Sequence, residues 1–239
     1  MRRMPCVVLT LFVLVLARHG QAEPIEVVTE TSSYVTSDGA RVAGAGTAFV
    51  EAVLQAAGIS EYNIAIYPWA RAYDMALQQP NVLIYLLART PERENQFKWV
   101  GEYTQAEPVL YALQGRQDIV FQSIAGARPY RIGVIREDMR HRYLVENGFS
   151  RLVVSSQNLE NLRKLLSGQV DLVPMPEREA RALCAQAGID FSQLRAVMSM
   201  PDLASDLYLA FSRGTNDALV ARAREGFARV RMMAPASKP

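Results

Sequence analysis

The sequence contains little of the two residue types that most often ligate transition metals. Its 239 residues include two cysteines and two histidines, and one of each, Cys6 and His19, lies in the N-terminal segment discussed below. His141 is then the one histidine outside that segment, and it lies in a basic run that is predicted to be helical. A single histidine excludes a histidine metal cluster, and a histidine-based catalytic triad would have to form around this residue. Cys184 has no disulfide partner, and its alanine-rich surroundings favour a small buried residue over a reactive thiol. We expect no metal and no other cofactor.

Signatures of phosphate and nucleic-acid chemistry are also missing. There is no Walker loop and no Gly-x-Gly-x-x-Gly after a strand, and Gly44-Ala45-Gly46 is interpreted as a turn that enters a helix. The formal net charge is only +2, and part of it comes from N-terminal arginines. Such a chain has no overall field that would recruit nucleic acid or anionic lipid. We therefore predict no nucleic-acid partner and no enzymatic activity.

Long apolar runs are absent except at the N-terminus. Arg2 and Arg3 precede an apolar run over residues 7–17, and Gly20-Gln21-Ala22 supplies the small residues that a signal peptidase reads. The run is far shorter than the ~20 residues that a membrane-spanning helix needs. We predict a signal peptide over residues 1–22 and export to the periplasm, with an N-terminal anchor as the alternative. The mature protein is expected not to span a membrane.

Strand and helix patterns alternate along the rest of the chain. Apolar runs predict strands at residues 25–29, 63–67, 82–87, 131–135, 151–155, 170–173 and 207–212. Helical periodicity predicts helices at residues 47–57, 69–79, 138–146, 177–187 and 216–232, with one more between Asn158, its expected cap, and Gly168. The alternation predicts an α/β fold with mostly parallel sheets flanked by helices. Extended pieces near residues 107–113 and 198–206 are candidate crossings between two lobes.

Four short motifs occur in an order that resembles one protein family. They are Tyr67-Pro68-Trp69, Thr90-Pro91-Glu92-Arg93, Phe97-Lys98-Trp99-Val100-Gly101-Glu102-Tyr103 and Leu165-Leu166-Ser167-Gly168-Gln169-Val170-Asp171. The chain thereby resembles the bacterial extracellular solute-binding family 3, the polar amino-acid-binding branch of the type 2 periplasmic binding proteins. The resemblance covers about residues 25–232. It implies two lobes, of which the first is discontinuous: residues 23–108 and 204–239 form lobe 1, and residues 109–203 form lobe 2.

The resemblance also implies a ligand site in the cleft between the lobes. Arg93 is expected to grip a carboxylate of the ligand, because a planar guanidinium donates two parallel charge-assisted hydrogen bonds. Tyr34 and Trp69 follow the first two strands and are candidates to flank the ligand, since the carboxyl ends of strands line the crevice in open sheets. Core packing is the alternative for Trp69. Arg89 faces either the cleft or the solvent.

At three positions the chain departs from the family pattern. Ala88 stands where relatives often hold the carboxylate with Thr or Ser, and Pro176 stands where they often offer Asp to the ligand's α-ammonium. The neighbouring Glu177 is the candidate substitute. In place of a Gly-Ser/Thr turn the chain has Arg136-Glu137-Asp138, so Asp138 is expected to cap a helix and Arg136 to supply positive charge. Because a buried ammonium needs a partner, an anionic solute fits better than a zwitterion.

The sequence thus predicts a monomeric periplasmic solute-binding protein. Its ligand is a small carboxylated or amino-acid-like solute, and its partner is an ABC permease or a membrane sensor. One alternative is an orphan domain for a cell-wall fragment or a protein, which Ala88 and Pro176 fit equally well. Another is a small-molecule lyase of the dehydratase type on the same fold, with Glu177 or Glu137 as general acid or base.

Overall fold

The computed structural model describes residues 24–37, 39 and 41–233, so the signal peptide predicted over residues 1–22 lies outside the described residues. The strands are β1 Ile25–Thr29, β2 Thr36–Ser37, β3 Val42–Ala43, β4 Tyr62–Ile66, β5 Val82–Ala88, β6 Phe97–Ala106, β7 Pro108–Leu113, β8 Ile132–Ile135, β9 Leu152–Ser155, β10 Val173–Pro176, β11 Leu194–Ser199 and β12 Ser205–Ser212. The helices are α1 Ala45–Ala56, α2 Trp69–Gln78, α3 Met139–Glu146, α4 Asn158–Leu166, α5 Glu177–Ala187 and α6 Asp217–Met233. None of the helices in this described part has the length and hydropathy that crossing a bilayer requires.

The first lobe is built on a five-stranded sheet in the order β4-β1-β5-β12-β6. β1 pairs in parallel with β4 and β5, whereas β12 runs antiparallel to β5 and β6. The chain leaves this sheet after β6 and returns to it with β12, and α6 then packs on α1 and β6. We use "first lobe" for this sheet with α1, α2 and α6.

The second lobe, formed by β7 to β11 with α3, α4 and α5, contains smaller sheets. β7 lies between β10 and β11 and is antiparallel to both, while β8 and β9 are parallel. The α/β two-lobed fold is confirmed, but the sheets are mixed rather than mostly parallel. The reason is that β6 continues straight into β7 and β11 leads back to β12 without a crossover helix, so these strands meet their neighbours antiparallel. The exact boundaries given for lobe 1 and lobe 2 stay a prediction.

Both faces of the first sheet are covered, which explains why β5 is apolar throughout. Leu83 and Tyr85 pack with α1 and α6 on one face. Val82 and Ile84 pack with α2 on the other face. A strand between two helical layers has no solvent side, so the alternation of polar and apolar residues is lost.

Two local predictions in the second lobe are wrong. The strand predicted at residues 170–173 lies at Val173–Pro176 and contains the two prolines that were expected to stop it. Proline is tolerated there because β10 is the edge strand of its sheet and needs fewer amide donors. Asn158 lies inside α4 instead of capping it, and its side-chain amide donates to the Glu179 carboxylate at 2.7 Å. Asp138 does cap α3, by accepting from the Arg140 amide.

Asp171, which ends the last of the four motifs, anchors the second lobe. Its carboxylate accepts hydrogen bonds from the Arg131 amide at 2.9 Å, from Arg131 Nε and Nη2 at 3.0 Å, and from Arg116 Nη1 at 2.9 Å. The hydrogen bonds from Arg131, with those from Arg116, hold the pKa of Asp171 far below its usual range. The aspartate of this motif is therefore explained by its contacts within the second lobe.

Replacing Asp171 by asparagine is expected to lower the free energy of unfolding by about 1–2 kcal/mol near neutral pH, a modest value because both arginines are partly exposed. The folded-state pKa of Asp171 lies below the unfolded value, so its contribution is present above the unfolded pKa and is lost as the pH falls. Urea unfolding at about pH 7 and about pH 3 measures this. The difference in the free energy of unfolding between wild type and variant is expected to be smaller at the lower pH. An equal difference at both pH values would contradict the assignment.

Candidate ligand-binding site

A cavity of about 250 Å³ lies between the two lobes. One wall is formed where parallel strands of the first sheet end, by Glu30 after β1, Trp69 at the start of α2 and Arg93 in the turn after β5. The first turns of α3 and α5 form the opposite wall, with Asp138 and Glu179 among their lining residues. The carboxyl ends of adjacent parallel strands meet at one edge of a sheet, which gathers residues that are distant in sequence.

Arg93 is a buried cation in this wall, with 3% of its surface exposed. Its Nη1 donates to the Ala88 carbonyl at 3.1 Å, and its guanidinium carbon lies 4.9 Å from the Tyr73 ring centroid and 5.6 Å from that of Trp69. Among the described residues, Nε and Nη2 of Arg93 have no hydrogen-bond acceptor. A guanidinium held in this way at a cavity wall has free donors for a carboxylate.

Trp69 both packs in the core and connects the lobes. Its ring stacks on Tyr73, with centroids 5.6 Å apart, and its Nε1 donates to the Glu137 carbonyl of the second lobe at 3.3 Å. Glu137 has a left-handed backbone with φ of 59°. Since this conformation costs free energy in a residue other than glycine, the contact is made at a strained position next to the cavity.

Tyr34 lines the cavity from the loop after β1. The Arg178 guanidinium of the second lobe lies 4.5 Å from the Tyr34 ring centroid. The Tyr34 carbonyl accepts a hydrogen bond from the amide of Gly46, at the start of α1, at 2.9 Å. A Cβ on Gly44 would collide with this carbonyl oxygen. The two glycines therefore let the Tyr34 loop approach the helix, in agreement with the interpretation of this stretch as a turn.

Ala88 and Glu177 also line the cavity, but the first is uncharged and the charge of the second is paired with Arg181. Ala88 contributes the carbonyl that positions Arg93. Glu177, the first residue of α5, accepts from Arg181 Nε at 2.7 Å, and its side chain is 57% exposed. Its charge is therefore paired on the helix surface.

Arg89 and Arg136, which the sequence analysis also named, do not line this cavity. Arg89 donates to both carboxylate oxygens of Glu94, at 2.7 and 2.5 Å. Successive residues of an extended chain point to opposite sides, so Ala88 at the cavity places Arg89 on the other side. Arg136 follows β8 with its side chain exposed, and it supplies no charge to the cavity.

Sequence reasoning did not assign several of the charged residues that line the cavity. Four of them, which we call the carboxylate cluster, interact with one another: Glu30, Asp138, Arg140 and Glu179. Asp138 Oδ1 accepts from the Arg140 amide at 2.8 Å and from Arg140 Nε at 2.5 Å. Glu179 accepts from Asn158, and its Oε2 lies 3.9 Å from Arg140 Nη1. The Glu30 carboxylate has no hydrogen-bond donor among the described residues.

The protonation of the carboxylate cluster differs from residue to residue. Burial, together with the negative charges of Asp138 and Glu179, raises the pKa of Glu30 well above its usual value. Burial also raises the pKa of Glu179, although Arg140 and Asn158 oppose it. For Asp138, burial is outweighed by the charge and the hydrogen bonds of Arg140, which hold its pKa below the usual value. Arg140 thus compensates mainly Asp138.

Comparison with known proteins identifies the fold. No protein-family model and no curated protein matches the chain. Among solved structures, a histidine kinase sensor domain with similarity to periplasmic binding proteins has 17% identity, a TM-score of 0.77 and coverage of 88% of this chain and 91% of the other. The arginine-, lysine-, histidine-binding protein ArtJ from Geobacillus stearothermophilus has 18% identity, a TM-score of 0.73 and coverage of 88% and 90%. AbpA from Streptococcus pneumoniae, an amino acid ABC transporter substrate-binding protein bound to L-arginine, has 16% identity, a TM-score of 0.74 and coverage of 88% and 90%.

The chain has the fold of the periplasmic binding proteins. Within this periplasmic-binding-protein fold, the structure brings Arg93, Trp69, Tyr34, Ala88 and Glu177 to one cavity between the lobes. At identities below 20% the likeness concerns the fold, and what the cavity binds has to be argued from its own residues.

One of the missed residues had a signal in the sequence. Glu30 directly follows β1, and the reasoning that pointed to Tyr34 after the same strand applies to it equally. Arg140 and Glu179 had no such signal, because charged residues in the first turns of α3 and α5 have the pattern of exposed helix surfaces. In the periplasmic-binding-protein fold these surfaces face the other lobe, which the sequence alone does not reveal.

Proposed function

We propose that the protein is a periplasmic solute-binding protein that captures a small carboxylated solute in the cavity between its lobes and performs no chemistry on it. The observation that carries this proposal is Arg93, a buried guanidinium on the cavity wall that keeps donors free. A buried cation is costly unless it is paired, and two nitrogens of this guanidinium have no hydrogen-bond acceptor among the described residues. A carboxylate is the group that matches a planar fork of donors.

The binding partners of the structural neighbours support an amino-acid-like solute and a membrane partner. ArtJ is named for binding arginine, lysine and histidine, and AbpA is described with L-arginine bound. We propose that the closed form docks on an ABC permease, and a membrane sensor is the alternative because one neighbour is a histidine kinase sensor domain. We further propose export to the periplasm after removal of residues 1–22, and a monomeric mature protein.

Capture would proceed by closure of the lobes about the two connections that join them. These connections are short and adjacent, since Ala106 at the end of β6 pairs with Ser205 of β12 and Ser199 of β11 pairs with Val109 of β7, and the second contains one 3-10 turn at Pro201–Leu203. Two short adjacent connections bend with few lost contacts. We propose that the lobes comprise residues 23–108 with 204–239, and residues 109–203.

The alternative of a lyase finds less support in the contacts of its candidate residues. Glu177 is paired with Arg181, and Glu137 is exposed and accepts from Arg142 at 3.0 Å. A general acid or base needs a carboxyl that reaches the substrate. Both residues named from the sequence are instead engaged by arginines of α3 and α5.

Native mass spectrometry of protein purified from the periplasm, followed by a thermal-shift panel of small carboxylates, tests the proposal. We expect a co-purifying carboxylated molecule, and a solute at 100 times its Kd is expected to stabilise the fold by about 2.7 kcal/mol. Turnover of that solute would instead support a lyase. No stabilisation by any solute would support the orphan domain. The intact mass also reports whether residues 1–22 are removed.

A further inference from the structure

The two lobes touch each other beside the cavity, through side chains of α2 and of the turn and helix around α3. Trp69 Nε1 of the first lobe donates to the Glu137 carbonyl of the second at 3.3 Å. The guanidinium carbon of Arg142 in the second lobe lies 5.5 Å from the ring centroid of Tyr73 in the first. Among the described residues that line the cavity, Trp69 is present, whereas Tyr73, Glu137 and Arg142 are not. Most of this junction therefore lies outside the space that a solute would fill.

These four residues form a closed ring of contacts, which we call the α2–α3 latch: Trp69, Tyr73, Glu137 and Arg142. Within the second lobe, the Glu137 carboxylate accepts from Arg142 Nη2 at 3.0 Å. Within the first lobe, the rings of Trp69 and Tyr73 stack with centroids 5.6 Å apart. Because each pair is fixed inside its own lobe, the two contacts between the lobes are coupled and are expected to form or break together.

Glu137 is held at an unusual backbone conformation by all of its polar groups. Its φ of 59° costs free energy in a residue other than glycine. Its amide donates to His141 Nδ1 at 3.3 Å, its carbonyl accepts from Trp69, and its carboxylate accepts from Arg142. Strained residues that their surroundings hold in this way are concentrated at ligand clamps and switch regions. The position of Glu137 at the junction of the lobes therefore points to a conformational role.

The Glu137 carboxylate also compensates the charge that Arg142 brings to the junction. Arg93 of the first lobe already lies with its guanidinium carbon 4.9 Å from the Tyr73 ring centroid. A second unpaired guanidinium at the same ring would be repelled by the first. Pairing with Glu137 removes this repulsion and leaves the attraction between a guanidinium and an aromatic ring. The latch is thus favourable without any bound molecule.

We propose that the α2–α3 latch holds the lobes together in the absence of solute, so that the empty protein is mainly closed and a solute enters only when the latch opens. The inference rests on the proposed function, because closure matters to a protein that captures a solute between its lobes. A conformational equilibrium is set by every contact that differs between its two states. The latch supplies such contacts from the protein itself, independently of what the cavity holds.

A latch outside the cavity affects the exchange of a solute more than its affinity. It stabilises the empty closed form and the loaded closed form alike, so the affinity rises only while the open form is still populated. Release, in contrast, always requires the latch to open. Loss of the latch is therefore expected to raise the dissociation rate by a larger factor than it raises Kd.

Distances between two spin labels, measured by electron paramagnetic resonance on the solute-free protein, test the proposal. The labels are attached through Ser60→Cys and Ser167→Cys, because both serines are exposed, and Cys184 is 1% exposed and does not compete for them. Each serine follows a helix and precedes a strand whose other end reaches the cavity, so the two labels lie at the far ends of the lobes. The protein is refolded from urea, and native mass spectrometry shows that it carries no bound molecule.

We expect the main component of the distance distribution at the separation that the closed structure gives. A main component at a longer distance in the wild-type protein would overturn this inference. It would leave the proposed function standing, because capture of a carboxylated solute is tested separately by the co-purifying molecule and by thermal shift.

The variants Arg142→Gln and Trp69→Phe test the residues of the latch. Each removes one contact between the lobes and is expected to lower the ratio of closed to open protein by about threefold to tenfold. The combined variant is expected to make the open component the larger one. Melting temperatures report that the variants fold, and Trp69→Phe keeps a ring in the core.

Arg128→Gln is the matched control for the loss of an arginine. Arg128 also lies near a ring, 5.9 Å from the Phe149 centroid, and donates to the Asn147 carbonyl at 2.9 Å, but both of these residues belong to the second lobe. This variant is expected to keep the wild-type distances. A wild-type distribution in the combined variant, or an equal opening in Arg128→Gln, would overturn the assignment of the latch.

Discussion

Replacing Arg93 by alanine is expected to weaken the binding of the solute by at least about a hundredfold. The guanidinium is buried at the cavity wall, so a carboxylate in that position would lose its partner and remain desolvated, which costs several times more than the loss of an exposed ion pair. The expected loss of stability without solute is smaller, about 1–2 kcal/mol, since Arg93 makes one hydrogen bond and two ring contacts in the protein. Thermal shift and calorimetry with the solute identified by mass spectrometry measure both effects.

Two further variants separate the role of Arg93 from that of charge in general. Arg93→Lys keeps the charge and loses the fork of donors, so we expect part of the affinity to return. Arg89→Ala removes a neighbouring arginine that pairs with Glu94 outside the cavity, and it is expected to bind as the wild type does. Wild-type affinity in Arg93→Ala would show that the carboxylate is held elsewhere.

The second large effect concerns the contact between α1 and α6. Gly226 of α6 lies against the backbone of α1, so that a Cβ there would lie 2.5 Å from the Val53 carbonyl oxygen and 2.8 Å from the Ala57 amide nitrogen. Backbone cannot move aside as a flexible side chain does. Gly226→Val is therefore expected to lower the free energy of unfolding by about 2–3 kcal/mol, because the two helices have to separate.

Ala228→Val on the same helix is the matched control. Ala228 is exposed, so the added methyl groups meet solvent. Only the lower helix propensity of valine is then expected to lower the free energy of unfolding, by about 0.5 kcal/mol. Urea unfolding monitored by circular dichroism measures both variants. Similar stabilities of the two would show that α6 does not approach α1 as closely as described.

This contact also explains how the return of the chain to the first lobe is secured. α6 is the last helix of the described chain, and Arg222 Nε donates to the carbonyl of Ala57, just after α1, at 3.2 Å. Arg224 Nε donates to the Trp99 carbonyl of β6 at 2.8 Å. The discontinuous lobe is thus joined through its helical layer as well as through β12, and a lobe held together in this way can move as a unit.

Element positions followed closely from local signals. α5 was predicted over the residues at which it is found, Glu177–Ala187, because Pro176 can precede a helix and Gly188 adopts the left-handed conformation that ends one. β6 was not predicted as a strand. Its ten residues mix aromatic and polar side chains: Val100 and Tyr103 pack with α1 and α6, Phe97 and Trp99 pack with α2, and the end of the strand reaches the cavity.

The candidate site was predictable only where strand order fixes position. Arg93 and Trp69 follow β5 and β4, the two parallel strands on either side of β1, and the ends of these strands lie at one edge of the sheet whatever the second lobe does. Arg89 was named as the end of a strand and Arg136 from the turn that replaces the family's Gly-Ser/Thr turn, yet neither lines the cavity. A difference of one residue along an extended chain reverses the direction of a side chain, and short motifs do not resolve it.

By itself the sequence determined the α/β class and most element boundaries, since periodicity, capping and turn residues act over a few positions, whereas the two-lobed arrangement and the candidate arginine were implied by the family resemblance. Only the tertiary structure decided the direction of the crossing strands and the charge of the cleft. Glu30 and Glu179 are separated by most of the chain, and each is unremarkable where it stands. Their raised pKa values arise because two lobes meet and remove water from both carboxylates at once.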